Sequence, residues 1–301
     1  MCERRCVTLL RAGTAALAMA SVVLFAGCGA DQLSAVATGE STLERIQREG
    51  RVRVGYANEA PYAYLDTTEG RLTGEAPEVL RAVMKTVGIA EVEGVLTEFG
   101  ALIPGLRAGR FDVIAAGMYI TPERCEQVLF SNPTYSIGEA LIVRKGNPLD
   151  LHSYEDIARH ETATLGVMAG AVERGYARKM GIPDARVIVF PEGPSGLEAV
   201  RIGRIDAFAG TSLTIHDLLT KAEPTRVERA EPFHDPVIDG ELVRGFGAFC
   251  FRQDDRDLAD AVNAALDGFL GSPEHMALVE PFGFTERELP GAATAEALCG
   301  L

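Results

Sequence analysis

The segment VEGVLTEFGALIPGLRAGRFDVIAAGMYI, residues 92–120, decides the fold. VEGVLTEF reads as a strand, ALIPGLRAG as a helix and FDVIAAGMYI as a second strand. Strand, helix, strand in that order is a crossover, and a crossover lays its two strands parallel. The same alternation extends outward on both sides. Ser41-Thr42-Leu43-Glu44 is a capping box, and Gly50 stops the helix that it opens. RVRVGYA is a strand, NEAPYAY a loop, and GEAPEVLRAVMKTVG a helix with a terminal glycine. Beyond residue 140 the pattern starts again, with ALIVRKG, ATLGVMAG, RVIVF and IDAFAG as strands. SYEDIARH, AVERGYARKMG, PSGLEAVRIGR and SLTIHDLLTKA are the helices between and after them. GFGAFCFRQ then returns as a strand before the amphipathic helix DLADAVNAALDGFLGS. The expected fold is therefore α/β and two-lobed, each lobe a mostly parallel sheet covered by helices. Residues 43–139 and 246–301 are expected to form lobe 1 and residues 140–245 lobe 2, joined by two hinge crossings. Ligands of open α/β sheets sit beyond the carboxyl ends of the strands, so site residues are sought in those loops.

A chain of 301 residues, 47% of them apolar, has enough material for one large or two modest packed cores. Its formal net charge of −14 leaves no basic stripe to neutralise phosphates, and no nucleic-acid partner is expected. The five histidines, at 152, 160, 216, 234 and 275, form no HExxH motif or close pair. No GxGxxG, GxxxxGK[ST] or GxSxG run is present either. Metal, nucleotide and triad chemistry thus lack a carrier, and neither a cofactor nor an enzymatic activity is expected. Cys125, Cys250 and Cys299 are scattered without a CxxC, which argues against a zinc or redox motif. Cys125 with Cys299 is an available pairing that leaves Cys250 as a buried thiol in GAFCF, and the sequence leaves the connectivity open.

The N-terminus reads as a processing segment. MCERRC with Arg11, followed by the apolar run 15–25, has the pattern of a signal peptide ending at residue 27. LFAGC, ending at Cys28, resembles the lipobox of bacterial lipoproteins. That resemblance implies cleavage before Cys28, lipidation of its thiol and attachment to the membrane through the lipid. Residues 28–42 then comprise the lipidated cysteine and a small, polar tether. The expected place is outside the cell membrane, in the periplasm where there is an outer membrane.

Residues 116–124, AGMYITPER, end a strand, place a tyrosine at 119 and follow a Thr-Pro turn with an arginine at 124. Together with RVRVGYANEAPY, TEFGALIPGLRAGRFDVIAAGM, TPERCEQVLFSNPTY and GRIDAFAGTS, this stretch resembles the solute-binding proteins of ABC importers, polar amino-acid type. The resemblance spans about residues 43 to 285. It implies a type II periplasmic-binding-protein clamp whose lobes close on a ligand and dock on permease subunits. Its hinges would lie near residues 137–142 and 243–247. GYANEAPY, AGMYITPERCEQ, DPVIDG and VEPFGFTERELPG are similar to the branch that binds ectoine and hydroxyectoine.

The residue chemistry runs the same way. Arg124 offers a planar fork for a bidentate carboxylate contact. Related amino-acid binders commonly place an aspartate where this chain has Thr211, and a small polar residue where it has Tyr119. A hydroxyl and a ring do not offset a primary ammonium as a carboxylate does. The expected ligand is a compact zwitterion with a carboxylate and a delocalised cation. Tyr62, Phe99 and Tyr119 are candidates for an aromatic box around that cation, and Glu59 for an acceptor of its N–H groups. From lobe 2, Gly170, Ala171 and Val172 would bring helix-start amides to the carboxylate, and Glu173 a second acceptor. A polar amino acid or a betaine is the alternative ligand. A carboxylate at 173 also simply favours a helix N-terminus.

Overall fold

The computed structural model of the chain describes residues 39–222 and 225–300. The expected leader, Cys28 and the first part of the tether lie outside the described residues. Ser41 caps the helix Thr42–Glu49 in the reciprocal box expected of it, and Gly50 ends it with a left-handed backbone.

Two separate sheets organise the rest. The first has the strand order Glu91–Leu96, Arg51–Tyr56, Val113–Tyr119, Gly245–Phe251, Leu129–Phe130, with Tyr135–Ile137 also paired to Gly245–Phe251. The second has the order Val187–Phe190, Leu165–Met168, Ala207–Thr211, Glu139–Arg144, Val227–Arg229. The first three strands of each sheet run parallel, as the crossover pattern requires. Beyond them each sheet turns antiparallel, because the next strand enters from the other lobe. Glu139–Arg144 carries the chain into the second sheet, and Gly245–Phe251 carries it back. Each lobe is thus a mixed sheet, parallel on one side and antiparallel on the other.

The two crossings are tied to each other. Arg244 donates from Nε to the Ser136 hydroxyl and from Nη2 to the Ser136 carbonyl, both at 3.0 Å. Asp235 accepts the Glu139 amide at 2.6 Å, and its other carboxylate oxygen sits where a side chain on Gly138 would go. The two strands are held in register by the antiparallel ladder of residues 135–137 with 245–247, and Arg244 reinforces it from a side chain.

Alternation along Glu139–Arg144 shows how the second sheet is filled. Leu141 and Val143 face one apolar cluster with Leu165, Val167 and Tyr154. Ala140 and Ile142 face another with Phe190, Phe208 and Ile215. The first sheet packs Val52, Val54, Ile114 and Phe249 into one larger core with Leu80, Met84 and Leu102.

Asp112 pins the start of the Val113–Tyr119 strand. It is fully buried and takes Arg53 through its backbone amide at 3.1 Å and its guanidinium at 2.9 Å. Arg45 and Arg252 converge on the same carboxylate. Burial pushes the Asp112 pKa up, but the hydrogen bonds and charge of Arg53 outweigh it and leave the carboxyl below its usual range. Removing one partner of such a group strands the others, so Asp112→Asn should cost about 3 kcal/mol of stability. Urea unfolding at neutral pH checks this, and an unchanged midpoint would show that the arginines re-solvate freely.

Candidate ligand-binding site

A cavity lies between the carboxyl ends of the two sheets. Glu59, Tyr62, Phe99, Gly117, Tyr119, Arg124, Met168, Ala171, Val172, Glu173 and Thr211 line it. Nine of the ten residues singled out in the sequence are therefore brought together here. Gly170 stands one position away and meets the site through its carbonyl.

Arg124 sits on the one-turn helix Pro122–Cys125, whose N-cap Thr121 accepts the Arg124 amide at 3.3 Å. Its guanidinium donates to the Tyr119 carbonyl at 2.8 Å and to the Gly170 carbonyl at 2.9 Å. The first belongs to lobe 1 and the second to lobe 2. Neither Glu123 nor Glu126 pairs with it among the described residues. Burial lowers the Arg124 pKa from the ordinary guanidinium value, since two carbonyl dipoles do not replace the water removed. The Phe99 ring lies under the guanidinium, 5.7 Å from its centre. Phe99 therefore supports the arginine with one face rather than closing a three-sided box on its own.

Tyr62 is held from behind. The helix Glu75–Thr86 donates its first amides to the carbonyls of Pro61 and Tyr62, each at 3.0 Å. The Tyr62 ring packs on Tyr135 and Phe284, with centroids 5.2 and 5.7 Å away. Gly117 makes room for it, since a Cβ there would come within 2.7 Å of the ring. The Tyr62 hydroxyl shares a 2.8 Å hydrogen bond with Thr211 across the cleft. Thr211 also caps the helix Ser212–Thr220, so its hydroxyl is spent on structure. Thr214 on the same helix donates to Glu59 at 2.8 Å, a second bond between the lobes.

At the helix Glu173–Lys179 the expected amides are partly engaged. The Ala171 amide donates to the Met168 carbonyl at 3.3 Å. The Glu173 carboxyl accepts its own backbone amide, which partly offsets the cost of burying the group at the helix start. One oxygen of that carboxylate, and the Tyr119 hydroxyl, are buried with no hydrogen-bond partner among the described residues. Desolvation, opposed by the Thr214 hydrogen bond, pushes the Glu59 pKa up to about 7. Desolvation together with the charge of Glu59 does the same to Glu173, also about 7.

The model for the bacterial extracellular solute-binding proteins, family 3, matches residues 52–284. The chain belongs to that family. A probable amino-acid ABC transporter periplasmic-binding protein of Sinorhizobium fredii is 40% identical over 295 residues, 96% of this chain and 94% of the relative. The crystal structure of EhuB in complex with hydroxyectoine matches at 38% identity and a TM-score of 0.77, over 86% of this chain and 98% of that one. An ancestral arginine-binding protein bound to arginine matches at 26% identity and a TM-score of 0.66, over 77% and 98%. As a member of this family the chain is the extracytoplasmic solute-binding component of an ABC importer for amino-acid-like ligands, and it works with permease subunits; its relatives are binding proteins, not enzymes. No helix among the described residues is long and apolar enough to cross a membrane.

Gly117, Met168 and Thr214 were not singled out in the sequence. Gly117 carries a usable signal, a glycine inside an apolar strand, which often marks close approach by another group. Met168 and Thr214 carry none, because each sits in an ordinary strand or helix pattern.

The two raised carboxyls of the cavity give the ligand-free protein a pH dependence whose sign is fixed, and Glu75 and Glu139, also raised by burial, add to it with the same sign. Between about 4.5 and about 7 the folded site holds protons that the unfolded chain has released. The contribution of Glu59 and Glu173 to stability is thus complete at low pH and lost as pH rises through about 7. Calorimetric melting should show wild type losing stability across that window relative to Glu59→Gln/Glu173→Gln. Parallel profiles would remove both groups as its source.

Proposed function

We propose that this chain captures ectoine or hydroxyectoine between its lobes for delivery to its permease, as a lipoprotein anchored through Cys28. The observation that carries the reading is the charge and hydrogen-bond balance of the cavity. Two carboxylates and one guanidinium face a cavity walled by aromatic rings. One Glu173 oxygen and the Tyr119 hydroxyl lack partners among the described residues. Such a site takes a compact molecule with one carboxylate and a cation that brings N–H donors. In ectoine the positive charge is spread over an N–C–N group, which suits ring faces and carboxylates together.

In this reading the ligand carboxylate lies on Arg124, and the cation lies among Tyr62, Tyr119, Glu59 and Glu173. Thr211 offers no charge, and its hydroxyl is already shared with Tyr62 and Thr214. The likeness to the hydroxyectoine complex of EhuB supports the same choice. The ligand bridges the lobes and favours the arrangement in which they touch, by its greater affinity for that arrangement.

Titration calorimetry on the body from about Asp31, unfolded and refolded to remove carried-over ligand, tests this. Ectoine and hydroxyectoine should bind, and glutamate, arginine, glutamine and glycine betaine should not. Binding of an ordinary amino acid in their place would overturn the ligand assignment and leave the importer role intact. Arg124→Ala should weaken binding about a hundredfold or more with the fold retained. Tight binding by that variant would sink the carboxylate assignment. Gly170→Ala probes closure of the lobes. Gly170 has φ +79, and a Cβ there would meet the Gly100 Cα at 2.5 Å across the cleft. Small-angle scattering at saturating ectoine should give this variant a larger radius of gyration than wild type. Equal radii would mean that the two loops yield.

A further inference from the structure

We propose that the Cys125–Cys299 disulfide is a positioning element of the anion site: it holds the turn that aims Arg124. The proposal rests on Arg124 as the carboxylate partner, as argued above.

Arg124 depends on an unusually slight support. The helix that carries it, Pro122–Cys125, is a single turn with no buried residue. A turn of that length has almost no core of its own to fix it. Its tethers include the Thr121 cap, the amides of Gln127 and Val128 on the Arg124 carbonyl, the hydrogen bond from Gln253 to the Glu126 carbonyl at 2.8 Å, and the bond from Cys125 to Cys299. Only the last is covalent, and it leaves from the residue next to Arg124. It also bridges 174 residues of chain, so it fixes the turn to a distant part of lobe 1 rather than to its own neighbours.

The far end of that bond is itself anchored. Cys299 ends the helix Ala295–Cys299, which starts at the Thr294 cap. The Ala295 amide donates to the Asn132 side chain at 3.1 Å, and the Asn132 amide donates to Asn263 at 2.7 Å. Asn263 belongs to the helix Arg256–Leu266, which is built into the lobe 1 core through Leu258, Val262 and Leu266. The line of support thus runs from a core helix through two asparagines and the disulfide to the guanidinium. A bidentate contact tolerates little error in the position of its fork, so slack in this line is read directly as lost affinity.

Two preparations remove the bond. One is the Cys125→Ser/Cys299→Ser variant. The other is folded wild type treated with dithiothreitol, which gives two electrons and two protons to the bond, leaves two thiols and closes to its own cyclic disulfide. Relaxation of the arginine Nε–H signals in the ligand-free protein reads positioning without any ligand. The Arg124 signal should become mobile in both preparations, whereas Arg53, paired with Asp112, stays ordered. Ectoine affinity should fall about tenfold, and the loss should vanish in an Arg124→Ala background. An Arg124 signal that is equally ordered with and without the bond would overturn the proposal. Failure of wild type to bind ectoine would overturn the ligand assignment instead, and the relaxation measurement would still decide the role of the disulfide. Should the serine variant not fold, the reduced wild type gives the reading.

Discussion

Everything around the cleft is arranged to keep one guanidinium charged in a place with little water. Arg124 gives up hydration and receives in return two carbonyl dipoles and the face of a ring. Dipoles compensate a buried charge only in part, so the site retains a preference for a full negative charge beside Arg124. That preference is what a carboxylate ligand satisfies. The carbonyls come from different lobes, so in the proposed reading the group that receives the ligand carboxylate also registers whether the lobes have met.

The contacts that join the lobes are otherwise modest. Tyr62 with Thr211 is a hydrogen bond between neutral hydroxyls, worth on the order of 1 kcal/mol net. Thr214 with Glu59 is somewhat stronger while the carboxylate is ionised. Gly100 and Gly170 meet backbone to backbone and bury little apolar surface. Met168, Val172 and Leu213 of lobe 2 add apolar packing against the lobe 1 core. At the hinge, the ladder of residues 135–137 with 245–247 and the Arg244 side chain tie the two crossings together.

Legibility of this architecture in the sequence follows the range of the interactions. Periodicity within single elements is local, and helices such as Glu75–Thr86 and Arg256–Leu266 were readable from apolar spacing and caps. The parallel halves of both sheets were readable for the same reason. The antiparallel halves depend on where a strand enters from, and nothing inside GFGAFCF states that. The candidate site shows the same division. The types at 59, 62, 119 and 124 were legible because charge and aromaticity are properties of single residues. The pairing of Phe99 with Arg124, of Thr211 with Tyr62, and of Ala171 with Met168 was not, since each partner is far along the chain or is backbone. Gly117 is intermediate: a glycine in a strand announces a close approach but not what approaches.

The balance of charge in the cavity narrows what can occupy it. Glu59 and Glu173 raise each other's energy, and each sits near the point where it gains or loses its proton at neutral pH. A ligand that brought only a carboxylate would add a further negative charge and force protons onto both. A ligand that brought only a cation would leave Arg124 without its counter-charge. A zwitterion settles both ends at once, and by stabilising the ionised carboxylates it makes binding release protons below about pH 7. Between zwitterions, the walls decide. A primary ammonium concentrates its charge on three N–H donors and loses much hydration on entry, whereas a delocalised cation is weakly hydrated and tolerates ring faces. Tyr62 and Tyr119 supply those faces, beside the carboxylates of Glu59 and Glu173.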